Sequence, residues 1–308
     1  MALLELHNIT KRFPVRHGFF GRTKEFVHAV NDVTLSIEDG ETVGLVGESG
    51  CGKTTLGRIA VGLIKPTSGE IEFNGKGRQV IFQDPFSSLN PRMSVGDIIS
   101  EPLLIHKACP KKERLNVAKD LLKSVGLEAE HVRRYPHEFS GGERQRICIA
   151  RAIALKPRFI VADEPVSSLD VAVQAEILDI LRKLKTSHNI SYLFVSHDLR
   201  VVASMCERIA VMYLGKIVEL MPSGDIKRPR HPYTQALISA VPIADPSTKK
   251  RRIILEGNVP SPVNLPTGCH FHPRCPYKED VCMKVAPVLE EGGGQLVACH
   301  FSEKVRNE

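Results

Sequence analysis

The sequence predicts an α/β fold with a mixed sheet, a helical lobe inserted into it and a loop-rich C-terminal extension, and three stretches carry that prediction. Thr42-Val43-Gly44-Leu45-Val46, the glycine-rich stretch Gly47 to Thr55 and the apolar run to Val61 read as buried strand, loop and helix. Phe159 to Asp163, Val171 to Lys185 and Ser191 to Ser196 read as strand, helix and strand, the rhythm of a sheet with crossover helices. From about Val241 the composition changes, with prolines at 242, 246, 260, 262, 266, 273, 276 and 287, so an extended, appended segment is expected there.

The chain as a whole sets limits. Its 308 residues suit about two domains, and 42% hydrophobic content fills a sizeable core. No run approaches the roughly 18 apolar residues of a membrane span, and Met1 to His7 lacks a basic segment followed by a long apolar one, so a soluble, cytosolic chain is expected. The formal net charge of +7 is dispersed, with Lys249-Lys250-Arg251-Arg252 the only tight cluster. Aromatic residues are few and there is no Trp, which argues against a stacking platform for nucleic acid.

Gly47-Glu48-Ser49-Gly50-Cys51-Gly52-Lys53-Thr54-Thr55 fits G-x-x-x-x-G-K-[ST] between a strand and a helix, the context of a phosphate-binding loop. Gly47, Gly50 and Gly52, with Ser49 among them, let the backbone curl with its N–H groups inward, and the helix that follows presents its positive end. Lys53 reaches the β- and γ-phosphates, Thr54 offers a hydroxyl to Mg²⁺, and Thr55 continues the helix.

Before the loop, residues 3 to 9 and 29 to 37 alternate as half-buried strands. Phe13, beside Pro14, suits either stacking on an adenine ring or plain packing. Beyond the loop, residues 68–73 and 78–82 are short strands, and Gln83 at the exit of the second is placed to reach a metal or water, or simply solvent. Residues 94–155 read as helical, with an amphipathic helix from Lys111 to Val125 stopped by Gly126. There Ser140-Gly141-Gly142-Glu143 has two readings: a capping box, and a helix N-terminus with bare amides for a second phosphate surface.

Phe159 to Asp163 ends in two carboxylates. Asp163 is the candidate Mg²⁺ ligand, and Glu164, whose side chain diverges from it, is left to take a proton from the attacking water. Asp170 is a candidate N-cap for the next helix. His197, at the C-terminal end of a strand, lies where open α/β sheets bind ligands. Strands at 208–213 and 216–220 and a helix around 233–240 follow. Cys269, Cys275, Cys282 and Cys299 cluster with spacing C-x5-C-x6-C-x16-C, which points to a metal and leaves zinc, with His270, His272 and His300 at hand, and iron-sulfur equally open.

The phosphate loop, Gln83, Ser140-Gly141-Gly142, Asp163-Glu164, Ser168-Leu169-Asp170 and His197, in this order, resemble the ATP-binding-cassette ATPases over residues 1 to about 240. The resemblance implies a P-loop NTPase core with its helical lobe at about 86–156. It also implies ATP and Mg²⁺ as ligands and a head-to-tail dimer in which Ser140 to Gly142 of one subunit face the phosphate loop of the other. Within it Lys53 and Thr54 bind phosphate and Mg²⁺, Asp163 supports Mg²⁺ with Gln83, and Glu164 is the general base. Gln83 senses the site and couples it to a membrane partner, His197 contacts the γ-phosphate, Asp170 joins the cross-dimer contact and Phe13 stacks on adenine. Two residues depart from the usual pattern: Glu143 stands where Gln is commonest and Phe13 where Tyr is.

His231-Pro232-Tyr233-Thr234-Gln235-Ala236-Leu237, Pro260-Ser261-Pro262 and Gly268 to Pro276 resemble the C-terminal extension of dipeptide and oligopeptide importer ATPases, which makes 241–308 that extension. Phe13-Pro14-Val15 and the Gly18-Phe19-Phe20 insertion are similar to the second of two paired ATPases. By this resemblance the four cysteines hold a 4Fe-4S cluster, with zinc the alternative. The implied partners are two membrane permease subunits, a second homologous ATPase or another copy of this chain, and, in the full transporter, an extracytoplasmic substrate-binding protein; this chain itself is expected at the cytoplasmic face of the membrane. Nickel or oligosaccharide cargo fits the same subfamily. A soluble ATPase clamp on nucleic acid or ribosomes would call for a coiled-coil insertion, a second cassette or a basic patch, and the sequence has none of these.

Overall fold

In this computed structural model the described residues are 2–15, 25–241 and 252–306. Gly18-Phe19-Phe20 and Lys249-Lys250-Arg251 lie outside them. The chain runs β1 (Ala2–Val15), β2 (Glu25–Glu38), β3 (Thr42–Val46), α1 (Lys53–Ala60), β4 (Ser68–Phe73) and β5 (Arg78–Ile81). Next come α2 (Pro85–Ser88), α3 (Val95–Ile105), α4 (Arg114–Ser124), α5 (Gly141–Ile153), β6 (Phe159–Asp163), α6 (Val171–His188) and β7 (Ser191–Val195). Last are α7 (Leu199–Met205), β8 (Arg208–Tyr213), β9 (Lys216–Pro222), α8 (Pro232–Ser239), α9 (Asp280–Lys284), β10 (Glu290–Gly292), β11 (Gln295–Val297) and α10 (Ser302–Arg306).

Two compact units result, the first from residues 1–3, 38–41 and 74–195 and the second from 4–37, 42–73 and 196–308. In the first, β7, β6 and β5 lie side by side and parallel, with Asp163 paired to Val195 and Ile81 to Ala162. Every residue of β6 and β7 is buried, as parallel strands covered on both faces require. The helices α2 to α5 belong to this unit. The predicted helix at Lys111 starts only at Arg114, because a turn closed by the Glu113 N–H on the Pro110 carbonyl (3.0 Å) precedes it. It ends as read, with Gly126 at φ +74°.

The second unit holds two sheets. One has the order β10-β11-β9-β8-β3 and is mixed: β3 and β8 are parallel, the other neighbours antiparallel. The other has the order β2-β1-β4. The first strand continues to Val15 where the sequence predicts an end near residue 9; its pairing with β4 shifts register between His7 and Thr10 and reaches Thr10 opposite Ser68. The C-terminal segment likewise carries more regular structure than its prolines suggest. Leu296 and Val297 pair with Leu220 and Glu219, so β11 adds to the edge that β9 offers, and two short helices flank it.

Helix α7 packs onto β3 at Gly44, where a Cβ would stand 2.2 Å from Val202 Cγ1 and 3.0 Å from Cys206 Sγ. Gly44→Ala therefore overpacks this contact and should cost about 1–3 kcal/mol in urea unfolding. Adding Val202→Ala should recover part of the loss, and equal losses in the single and double variants would place the strain elsewhere.

Candidate functional site

In the second unit the buried strand β3 ends at Gly47, where the backbone turns at φ +154°; Gly52 follows at φ +109°. A Cβ on Gly47 would lie 2.1 Å from the Met212 carbonyl oxygen, and one on Gly52 2.0 Å from that of Ala29. Only glycine can occupy either position. Lys53 opens α1 and is buried, its ammonium donating to the Gly47 carbonyl at 2.7 Å and the Glu48 carbonyl at 3.0 Å. Ser49 and Gly50 are exposed at the loop tip, and half-buried Thr54 and Thr55 lie in the first turn of α1, where amides without intrahelical partners favour an anion.

His197 is exposed just beyond β7. The neighbouring Ser196 N–H donates to the Leu45 carbonyl at 3.2 Å, and Asp198 caps α7 by accepting the Arg200 N–H at 2.8 Å. This brings His197 and Gly47 onto the wall of one cavity of about 280 Å³, with Val46, Leu199 and Leu237. Phe13, near the end of β1, is not a core residue: its ring is 36% exposed and Lys11 Nζ stands 5.2 Å from its centroid.

In the first unit β6 ends at Asp163, whose side chain is buried. Glu164 then turns into the left-handed region at φ +47°, its N–H held by the Val195 carbonyl at 2.9 Å, so the two carboxylates part at a strained residue as well as by strand alternation. Gln83, exposed after β5, donates its amide to Glu164 Oε2 at 3.2 Å. The structure thus joins Gln83 to the residue that the sequence assigns to the attacking water.

Ser140 caps α5 in a closed capping box. Its hydroxyl accepts the Glu143 N–H at 3.4 Å, and the Glu143 carboxylate accepts the Ser140 N–H at 2.8 Å and hydroxyl at 2.7 Å. These Ser140 donors hold the Glu143 pKa below the ordinary carboxylate value. A Cβ on Gly142 would lie 2.4 Å from Val173 Cγ1 in α6, so this glycine sets the approach of two helices. Asp170 caps α6, accepting the N–H groups of Ala172 at 3.1 Å and Val173 at 3.0 Å, and so borders the same spot.

The four clustered cysteines are all free thiols, with Cys282 buried and Cys269, Cys275 and Cys299 half-buried. Burial, together with the charges of the neighbouring cysteines, pushes the Cys275 thiol up to about 12 and Cys299 to about 11. They are close enough to feel one another, yet among the described residues no group of three or more Cys, His, Asp or Glu stands ready to hold a metal ion. Two of the nearby histidine rings are engaged: His272 Nδ1 bonds the Cys269 carbonyl at 2.9 Å and His300 Nε2 that of Val285 at 3.0 Å.

Two residues at the loop went unassigned in the sequence. The Tyr233 hydroxyl accepts the Glu48 N–H at 2.8 Å, and Arg274 donates to both Glu48 carboxylate oxygens at 2.8 and 3.1 Å. Both lie in stretches that the family resemblance marks, His231 to Leu237 and Gly268 to Pro276, but nothing local ties them to residue 48.

A glycine loop that only glycine can form, closed by a helix-opening lysine at the end of a buried strand, defines a P-loop nucleotide-binding protein. The description "ABC transporter" matches residues 30–167, and "Oligopeptide/dipeptide transporter, C-terminal region" matches 218–282. The oligopeptide transport ATP-binding protein AppF of Bacillus subtilis (strain 168) is 47% identical over 97% of this chain and 97% of its own length. The dipeptide transport ATP-binding protein DppF of Escherichia coli (strain K12) is 44% identical over 99% of this chain and 96% of its own. A dimeric ATP-binding cassette solved in a post-hydrolysis state with ADP and Pi has the same fold, with a TM-score of 0.63 and 29% identity over 71% of this chain and 98% of that one. The chain belongs to the ABC transporter family, as an ATP-binding ATPase subunit of the peptide-transporter type.

Because the Glu143 pKa is lowered by folding, its contribution to stability is present above the unfolded carboxylate pKa and lost as pH falls through the folded one. Wild type should therefore exceed Glu143→Gln in melting temperature at pH 7, with the gap closing on acidification toward pH 3. A gap that is constant with pH would show that the ionised carboxylate adds nothing to the cap.

Proposed function

We propose that this chain powers an importer of dipeptides or oligopeptides, working at the cytoplasmic face of the membrane with two permease subunits, a second ATPase or another copy of itself, and a substrate-binding protein outside. The match of residues 218–282 to the oligopeptide/dipeptide transporter C-terminal region carries the cargo part of this reading. Among the described residues no helix is long and apolar enough to cross a membrane, so the passage itself falls to partners. Exposed Leu104 and Ile105 at the end of α3 give the helical lobe apolar surface suited to such a contact.

Each site residue then has a task. The N-terminus of α1 and Lys53 receive the phosphates, His197 reaches the γ-phosphate, and Phe13 stacks on the base. Thr54 and Asp163 are the groups suited to Mg²⁺: one is a hydroxyl in the first turn of the loop helix, the other a buried carboxylate at the end of β6. Bound there, Mg²⁺ would offset the charge of the phosphates. Glu164 takes the proton from water and Gln83, bonded to it, orients both. Ser140, Gly141 and Gly142 present the second phosphate surface, in trans across the dimer, and Asp170 fixes the helix beside them.

Purified full-length Glu164→Gln should bind Mg-ATP as wild type does and lose at least about a hundredfold in turnover. Tagged and recovered from native membranes with ATP, it should bring down two permeases and a peptide-binding protein. Normal turnover would remove Glu164 as base, and recovery of ribosomes or nucleic acid without membrane subunits would overturn the importer.

The four cysteines, in this reading, hold an iron-sulfur cluster that staples the C-terminal segment. The segment has little apolar core of its own, and the Phe301 N–H already points at Cys299 Sγ at 3.4 Å. Cys275→Ser should lose bound iron and become more sensitive to protease beyond residue 252. Iron content equal to that of wild type, or an unchanged digestion pattern, would refute the staple.

A further inference from the structure

All three polar parts of Glu48 are engaged at once. Its N–H donates to the Tyr233 hydroxyl at 2.8 Å, its carboxylate takes both Arg274 Nη1 and Nη2 at 2.8 and 3.1 Å, and its carbonyl accepts the Lys53 ammonium at 3.0 Å. The fork of Arg274 is itself held. Its side chain is 8% exposed, Nη1 lies 3.5 Å from the Tyr213 hydroxyl, and its guanidinium carbon is 5.9 Å from the Tyr213 ring centroid. Tyr213, Tyr233 and Phe271 are fully buried, with ring centroids 4.7 to 5.5 Å apart, so the wall behind Glu48 has no slack.

Bidentate arginine–carboxylate pairs fix direction as well as distance, and a neutral hydroxyl on a backbone N–H fixes the peptide plane. With both in place the Glu48 carbonyl is held where it accepts the Lys53 ammonium at 3.0 Å and the Cys51 N–H at 3.3 Å. We propose that Tyr233 and Arg274 are positioning residues of the nucleotide site, which orient Glu48 and through its carbonyl set the curl of the loop and the place of the Lys53 ammonium. The C-terminal segment thereby acts on ATP binding within the same subunit: Arg274 lies 226 residues from Glu48, one position before Cys275. The inference rests on reading Gly47 to Thr55 as the phosphate loop. If the contacts served only to anchor the C-terminal segment, losing them would lower stability and leave nucleotide affinity alone.

Full-length protein is the material, Mg-ATP the probe, and dissociation constant, KM, kcat and melting temperature the readouts. Tyr233→Phe removes one hydroxyl and no packing, and Arg274→Lys keeps the charge but loses the fork; each should raise the Kd and KM for ATP on the order of tenfold, with a smaller change in kcat. Glu48→Arg and Arg274→Glu should each bind poorly, and the double variant should regain part of the affinity. Lys53→Ala serves as control. Unchanged Kd and KM in Tyr233→Phe and Arg274→Lys, with binding abolished by Lys53→Ala, overturn the inference alone. Binding retained in Lys53→Ala overturns the phosphate-loop reading and the inference with it.

Discussion

The ammonium of Lys53, turned back onto the carbonyls of Gly47 and Glu48, is the interaction on which the phosphate loop depends. A loop that curls with its amides inward leaves carbonyls facing the other way, and a buried amine with several donors satisfies them. The geometry that brings them together is available only to glycine at positions 47 and 52, where the backbones of Met212 and Ala29 exclude a Cβ. The loop is therefore shaped from both sides: from within by Lys53, and from without by the strands β8 and β2 that press on it.

Those constraints explain which parts of the chain were readable in the sequence. The phosphate loop, the caps at Ser140 and Asp170 and the buried runs of β3, β6 and β7 are each decided by residues within one turn or strand, so a short window contains the cause. The sharing of one cavity by Gly47 and His197 and the bond of Gln83 to Glu164 go with each residue lying at a strand exit. The extension of β1 to Val15 and the addition of β11 to β9 were hidden, because they depend on a partner strand's edge and not on local propensity. The grip of Tyr233 and Arg274 on Glu48 was hidden for the same reason at a greater distance: no spacing rule relates residues 185 and 226 positions apart.

Glu164 illustrates how the first unit stores strain where chemistry is proposed. A non-glycine residue at φ +47° costs on the order of 1–3 kcal/mol, and it persists here because the Glu164 N–H is tied to Val195 and its carboxylate to Gln83. The turn swings Glu164 away from Asp163, so two adjacent carboxylates do not share one environment. One is buried at the strand end; the other is half-buried beside the Gln83 amide.

The helix start at Ser140 shows a division of labour between two adjacent glycines. The N–H and hydroxyl of Ser140 are both taken by Glu143, so the capping box leaves this residue little to offer a ligand except its oxygen. The amides of Gly141 and Gly142 fall in the first turn, where α-helices make no internal bonds to them. Packing accounts for Gly142, since Val173 occupies the space a Cβ would need. It does not account for Gly141, whose Cβ would meet only Leu169 at an ordinary 3.6 Å. A side chain fits at 141 without strain, and what it would cover is the open end of α5. The capping box and the phosphate-surface reading of this motif are thus compatible, because they use different atoms.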